Sequence, residues 1–227
     1  MCMNRAIIFV NGNLSDLRKA KKIITKEDYL ICADGGVKHA LKLNLFPQVV
    51  IGDFDSIDSD LLKKITKICT EQACLFPTMI KYPTKKDKTD FELAIDYCLE
   101  KKFQEIIIFG ILGDRIDHFL ANIFLIAKTQ TENSSIKIKI IEGDKEIFVL
   151  NKEIVVHGQI GDEISIIPVS EKLENIVTDG LEYKLDHESL SFGSTRGISN
   201  VMVKTTIKIT VSSGTAVVEH NYLRKRG

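Results

Sequence analysis

Asp53 and Asp55, in the run GDFDS at 52–56, stand two residues apart directly after a short apolar segment. In extended backbone, residues i and i+2 point to the same side, so both carboxylates can face one cation. An Asx-turn leading into a helix is the competing explanation of the same pair. Three other apolar segments end in polar groups: 6–10 before Asn11-Gly12, 29–33 before Asp34-Gly35-Gly36, and 106–109 before Gly110, with Asp114, Arg115 and Asp117 close behind. Any one of these acids is as readily a cap or turn former. Gathered on one rim, they repel unless a cation neutralises them. Oxygen ligands of this kind suit Mg²⁺, which binds a few carboxylates and leaves its other positions to water and phosphate.

Two further stretches carry candidate chemistry. DKTD (87–90) precedes an apolar-periodic segment, and on pattern alone Thr89-Asp90-Phe91-Glu92 reads as a capping box. The lysines around it, Lys88 among them, read as a solvated loop as readily as a phosphate site. GILGDRIDH (110–118) combines glycines, an arginine and an aspartate at a helix start. Free N–H groups at a helix N-terminus and a two-pronged guanidinium both favour phosphate. His118 reads as a structural neighbour. The other four histidines show no ligand spacing, and neither a Walker loop nor a complete GxGxxG is present.

The elements that must hold these residues follow from periodicity. Apolar runs at 6–10, 29–33, 49–51 and 106–109 predict buried strands. Between them, helical spacing appears at Leu14, Leu17, Ala20, Ile23 and Ile24, at Leu61, Leu62, Ile65 and Ile68, and at Phe91, Ala94, Ile95, Cys98 and Leu99. The stretch 119–127 reads as a deeply buried helix. Alternating strands and helices predict an open, mostly parallel α/β sheet. Beyond the polar TQTENSS, short β-like segments at 136–141, 146–150, 154–156, 163–169, 201–206, 207–211 and 215–219 predict an antiparallel β-sandwich. Two domains are expected, 1–135 and 136–227, meeting somewhere between 128 and 150.

Composition narrows the class. The chain has 227 residues, 44% hydrophobic and 27% charged, enough apolar material for a sizeable core. Its 31 basic and 31 acidic residues cancel, and neither half carries the basic excess that duplex nucleic acid selects. No apolar run approaches the roughly 20 residues of a membrane span. The apolar run near the N-terminus is too short for a secretory signal, and five cysteines without a CxxC pair fit a reduced, cytoplasmic setting.

ADGG (33–36), IGDFDS (51–56), DKTDFELAI (87–95), GILGDRIDHFLANI (110–123), GLEYKL (180–185) and GSTRGISN (193–200) together resemble the thiamine pyrophosphokinase family, in its order of blocks. The resemblance implies an N-terminal α/β catalytic domain, a C-terminal β-sandwich that helps bind thiamine, and a homodimer with active sites between subunits. It implies transfer of the β,γ-diphosphoryl unit of ATP to the thiamine hydroxyl, releasing AMP. Carried over, Asp53, Asp55 and Asp90 are the Mg²⁺-binding carboxylates, so Asp90 is more than a cap. Asn11, Asp34, Gly35, Asp87, Lys88, Arg115 and Asp117 belong to the ATP and phosphate site, and Ser199 and Asn200 to the thiamine pocket. Asn11-Gly12 stands where members often carry a Gly pair, and Asp114 where Gly is frequent. Two other functions remain open: a Mg²⁺-dependent nucleotide pyrophosphohydrolase, and a thiamine- or nucleotide-binding sensor without turnover.

Overall fold

The structure, a computed structural model, describes residues 4–54, 60, 63, 65, 77–83, 85 and 87–223. Asp55, and Leu61, Leu62 and Ile68 of the second helical pattern, lie outside the described residues. The chain divides into two compact units, Met1–Asn122 and Ile123–Gly227.

The first unit is built on five strands: β1 (Arg5–Phe9), β2 (Tyr29–Ala33), β3 (Val49–Gly52), β4 (Thr78–Lys81) and β5 (Glu105–Phe109). They lie in the order β5-β1-β2-β3-β4, every pair parallel. Ile7, Ile8, Ile31, Ile51, Ile106 and Ile108 are fully buried, as continuous apolar runs require in a sheet covered on both faces. Helices α1 (Leu17–Ile23), α2 (Val37–Lys42) and α3 (Asp90–Glu100) connect the strands. Asp16 caps α1 by accepting from the Lys19 N–H at 2.8 Å, so Leu14 precedes the helix predicted to include it. Strand β4 and the six-residue α2 had no counterpart in the predicted elements. The first lies at the sheet edge with half-exposed apolar side chains; the second is too short to show a period.

At the strand ends opposite the rim, Arg5 grips Asp28 with two prongs, Nε to Oδ1 at 2.6 Å and Nη2 to Oδ2 at 2.8 Å, and the Thr25 N–H donates to Oδ2 at 2.7 Å. Burial alone raises the Asp28 pKa, but hydrogen bonds from Arg5 and Thr25 outweigh it and hold the carboxyl below its ordinary 3.8. Such a depressed group contributes stability that is present above the unfolded value and lost as pH falls through the folded one. Asp28→Asn should cost about 1.5–3 kcal/mol at neutral pH. Urea melts should show its gap to the wild type closing below about pH 4.

Helix α4 (Ile116–Glu132) leads from the first unit into the second. It is not deeply buried all round: Ile123, Ile126 and Ala127 are buried, whereas Ile116, Leu120 and Phe124 are 73%, 47% and 49% exposed. Those three recur at i, i+4 and i+8 and form one apolar stripe.

The second unit is an antiparallel β-sandwich. One sheet has β12 (Asn200–Val201), β9 (Glu163–Pro168), β14 (Ala216–Asn221), β7 (Lys145–Leu150) and β6 (Lys137–Glu142), in that order. The other has β11 (Asp186–Ser191), β10 (Lys172–Asp179), β13 (Thr206–Thr210) and β8 (Glu153–His157). Leu150, Ile164, Ile166 and Val218 from the first sheet and Leu173, Ile176, Ile207 and Ile209 from the second share one core. The strand predicted over 201–206 is instead the two-residue β12, and Thr206 begins β13. Strands β10 and β11 escaped sequence patterning. Asn175, at φ 51°, bulges β10 and puts its buried Leu173 and Ile176 three residues apart, and β11 buries only Leu190.

Candidate active site

In an open parallel sheet, ligands bind beyond the carboxyl ends of the strands, at the point where the strand order reverses. Here that point lies between β1 and β5, because the chain leaves β1 toward β2 and returns on its other side. A cleft of about 350 Å³ opens there, lined by Asn11 and Gly12 after β1 and by Gly113, Asp114 and Arg115 after β5. His118 and Asn122 line it as well; they stand three and seven residues beyond Arg115, on one face of α4. Their i, i+4 spacing is the sequence signal that points to this shared face.

The two loops are stitched together by backbone bonds: Gly12 N–H to the Gly110 carbonyl at 2.8 Å and Asn13 N–H to the Leu112 carbonyl at 2.5 Å. Gly12 is required by this approach, since a Cβ there would meet the Leu112 carbonyl oxygen at 2.1 Å. From α2, the His39 Nε2–H donates to the Gly12 carbonyl at 2.8 Å. Burial lowers the His39 pKa, which keeps the ring neutral.

Next along the rim stand three carboxylates from three elements. Asp34 follows β2, Asp53 follows β3 and Asp90 opens α3; each offers an oxygen within 4.8 Å of the others. Asp34 is buried, with a left-handed φ of 46°, and its enclosed Oδ1 has no hydrogen-bond partner among the described residues. Phe54, at φ 65°, departs in the same way beside Asp53. Backbone strain of this kind gathers at functional sites. Thr89, not Asp90, caps α3, with its hydroxyl accepting from the Glu92 N–H at 3.1 Å. The capping pattern and a role for Asp90 in the cluster are therefore compatible.

A hard divalent cation fits this set. Three like charges at this separation repel, the enclosed Asp34 oxygen meets no donor among the described residues, and oxygen-only ligands suit Mg²⁺ or Mn²⁺. The family resemblance puts Asp34 among the phosphate-binding residues; its position beside Asp53 follows from strand pairing, with Ala33 opposite Ile51.

The remaining candidates are distributed around the rim. Arg115 and Asp117 are exposed and paired, Nη2 to Oδ2 at 2.5 Å and Nε to Oδ1 at 3.2 Å. The arginine's hydrogen bond pulls the Asp117 carboxyl down to about 2, so it is a weak proton acceptor while the pair lasts. Lys88 bonds Asp96 at 2.6 Å and lies 3.6 Å from Glu92, both on α3. Asp87 is exposed beside it. In the second unit, Asn200 is buried and ties two of the family-like blocks together: its Oδ1 accepts from the Tyr183 N–H at 3.0 Å and its Nδ2 donates to the Tyr183 carbonyl at 2.7 Å. Ser199 is exposed at φ 56°, and its N–H donates to the Ser165 hydroxyl at 3.1 Å.

Residues 20–140 match the family model of the thiamin pyrophosphokinase catalytic domain, and 151–216 match that of the thiamin pyrophosphokinase vitamin B1 binding domain. The chain belongs to the thiamin pyrophosphokinase family. It is similar to a thiamine pyrophosphokinase of Bacillus subtilis, 35% identical over 175 residues, or 76% of this chain and 78% of the relative. A Caenorhabditis elegans thiamin pyrophosphokinase is 25% identical over 234 residues, covering 93% and 86% of the two chains. Among solved structures, thiamine pyrophosphokinase from Bacillus subtilis superposes with a TM-score of 0.84 at 28% identity, covering 97% of this chain and 100% of that one. The catalytic-domain match takes in the acid rim and runs on through α4 into β6, and the vitamin B1 binding match lies within the sandwich unit.

Proposed function

We propose that this chain transfers the diphosphoryl group of ATP to the hydroxyl of thiamine, giving thiamine diphosphate and AMP. The observation that carries the reading is the three-carboxylate cluster beside a cleft at the strand-order reversal, in a chain of this family. Asp34, Asp53 and Asp90 would hold Mg²⁺, with Asp55 of the same GDFDS run as a fourth candidate. When bound, the cation supplies neutralisation of charge on phosphate oxygens. The remaining work is positioning. Asn11, Gly12 and Gly35 border the nucleotide, Asp87 and Lys88 flank the phosphates, and Arg115 donates to them once it exchanges Asp117 for a phosphate partner. The thiamine oxygen attacks the β-phosphorus, the bond from that phosphorus to the AMP oxygen breaks with its electron pair departing on AMP, and the hydroxyl proton passes to solvent as the new bond forms.

Residues 1–135 serve ATP and metal in this reading, and 136–227 serve thiamine through Ser199 and Asn200. The protein acts in the cytoplasm as a homodimer with its active sites between subunits; the exposed Ile116, Leu120 and Phe124 stripe supports self-association. Among the described residues no helix is long and apolar enough to cross a membrane.

The test is whether AMP release depends on thiamine. A rate that is near zero without thiamine and saturates with it supports transfer; equal rates with and without it mean water is the acceptor and the protein is a pyrophosphohydrolase. Arg115→Ala should lower kcat/KM for ATP by about 10–100-fold, as expected for loss of a charged phosphate donor. In a carbon-detected titration of that variant, the Asp117 carboxyl should rise from about 2 toward its ordinary 3.8.

A further inference from the structure

Lys38, the second residue of α2, is half-buried. Its Nζ donates to two oxygens of the same residue across the rim: the Asn11 carbonyl at 3.1 Å and the Asn11 Oδ1 at 2.7 Å. The Asn11 amide packs over Gly35, where a Cβ would approach Oδ1 to 2.5 Å, so the side chain occupies space that only glycine leaves open. Burial and the neighbouring Lys42 lower the Lys38 pKa, while the Asp34 carboxylate pulls it back up.

We propose that Lys38 is a positioning residue for the nucleotide: it pins Asn11 at the cleft and fixes which way round the Asn11 amide lies. The chemistry follows from the donor inventory. An ammonium has three donors and no acceptor, so it must face the amide oxygen and never the amide nitrogen. With Oδ1 held on Lys38, the group the amide has left for a ligand in the cleft is Nδ2–H₂, a donor, which suits a phosphate or ribose oxygen. Adjacent in sequence, His39 holds the Gly12 carbonyl, so consecutive α2 side chains set both residues of the β1 loop.

The inference rests on reading the cleft as the nucleotide site, and the experiment separates the two. Binding of α,β-methylene ATP with Mg²⁺ is measured by calorimetry for wild type, Lys38→Met, Asn11→Ala and the double variant. Lys38→Met keeps most of the aliphatic stem, so its fold should hold. It should weaken binding by about tenfold, the effect of losing a charged hydrogen bond. Asn11→Ala should do the same, and the double variant should be within about twofold of Asn11→Ala alone. In turnover, the ATP KM should rise while the thiamine KM and kcat stay within about twofold, and Lys38→Arg should recover most of the loss. Unchanged binding in Lys38→Met overturns the proposal. Effects that multiply in the double variant also overturn it, because Lys38 would then act on the nucleotide without Asn11. Wild type that fails to bind the analogue removes the nucleotide reading itself.

Discussion

Asp53→Asn and Asp90→Asn should each slow formation of thiamine diphosphate by about 10²–10³-fold, the usual effect of deleting one electrostatic element of a transition-state site. Neither should loosen the fold. The carboxylates of Asp34, Asp53 and Asp90 lie within 4.8 Å of one another. Two charges at that separation repel by about 3 kcal/mol at an effective dielectric of about 20. Removing one therefore relieves the metal-free protein, whose melting temperature should be unchanged or higher. The sign reverses with Mg²⁺: the wild type should gain stability as the ion binds the folded state, and the variants should gain much less. Thermal melts with and without Mg²⁺ check both halves. A variant that loses melting temperature in step with activity would show that the carboxylates serve the fold instead.

Gly12→Ala should damage stability and catalysis together. Its Cβ would lie 2.1 Å from the Leu112 carbonyl oxygen and 2.6 Å from the Gly110 carbonyl oxygen, both backbone atoms that cannot rotate away. The loops after β1 and β5 must part, straining the Gly12–Gly110 and Asn13–Leu112 hydrogen bonds that shape the cleft. Overpacking of this kind costs about 2–3 kcal/mol, or about 4–12 °C in a chain of this size. Because the displaced backbone lines the cleft proposed for the nucleotide, kcat/KM for ATP should fall by about 100-fold, as small misplacements at a reacting site do. Kinetics at a temperature where the variant is fully folded separate the two effects.

The contrast between these sites explains what the sequence could reveal. Strands β1, β2, β3 and β5 were legible because strands buried on both faces need unbroken Ile and Val runs, and Asn11, Asp34, Asp53 and Asp114 were legible because they follow those runs. What linear spacing does not carry is adjacency between strands. Asp34 joins Asp53 because β2 pairs with β3, and Asp90 joins them because α3 begins where those strands end and its helix packs on both. Lys38 and His39 went unread because α2 has six residues and no period. Composition also misled at α4, where apolar residues on two faces suggested deep burial although only one face is covered. In the sandwich, the Asn175 bulge moved β10 out of strict alternation, so its pattern resembled neither strand nor helix.

If the acid rim and its cleft transfer the diphosphoryl group in one piece, AMP and thiamine diphosphate must form together. A ³¹P NMR time course of the protein with ATP, Mg²⁺ and thiamine tests it most directly. AMP and thiamine diphosphate should grow in a one-to-one ratio, with no signal from free pyrophosphate or ADP. Pyrophosphate in place of thiamine diphosphate would contradict it by naming water as the acceptor, and ADP with thiamine monophosphate would place the attack at the γ-phosphorus instead.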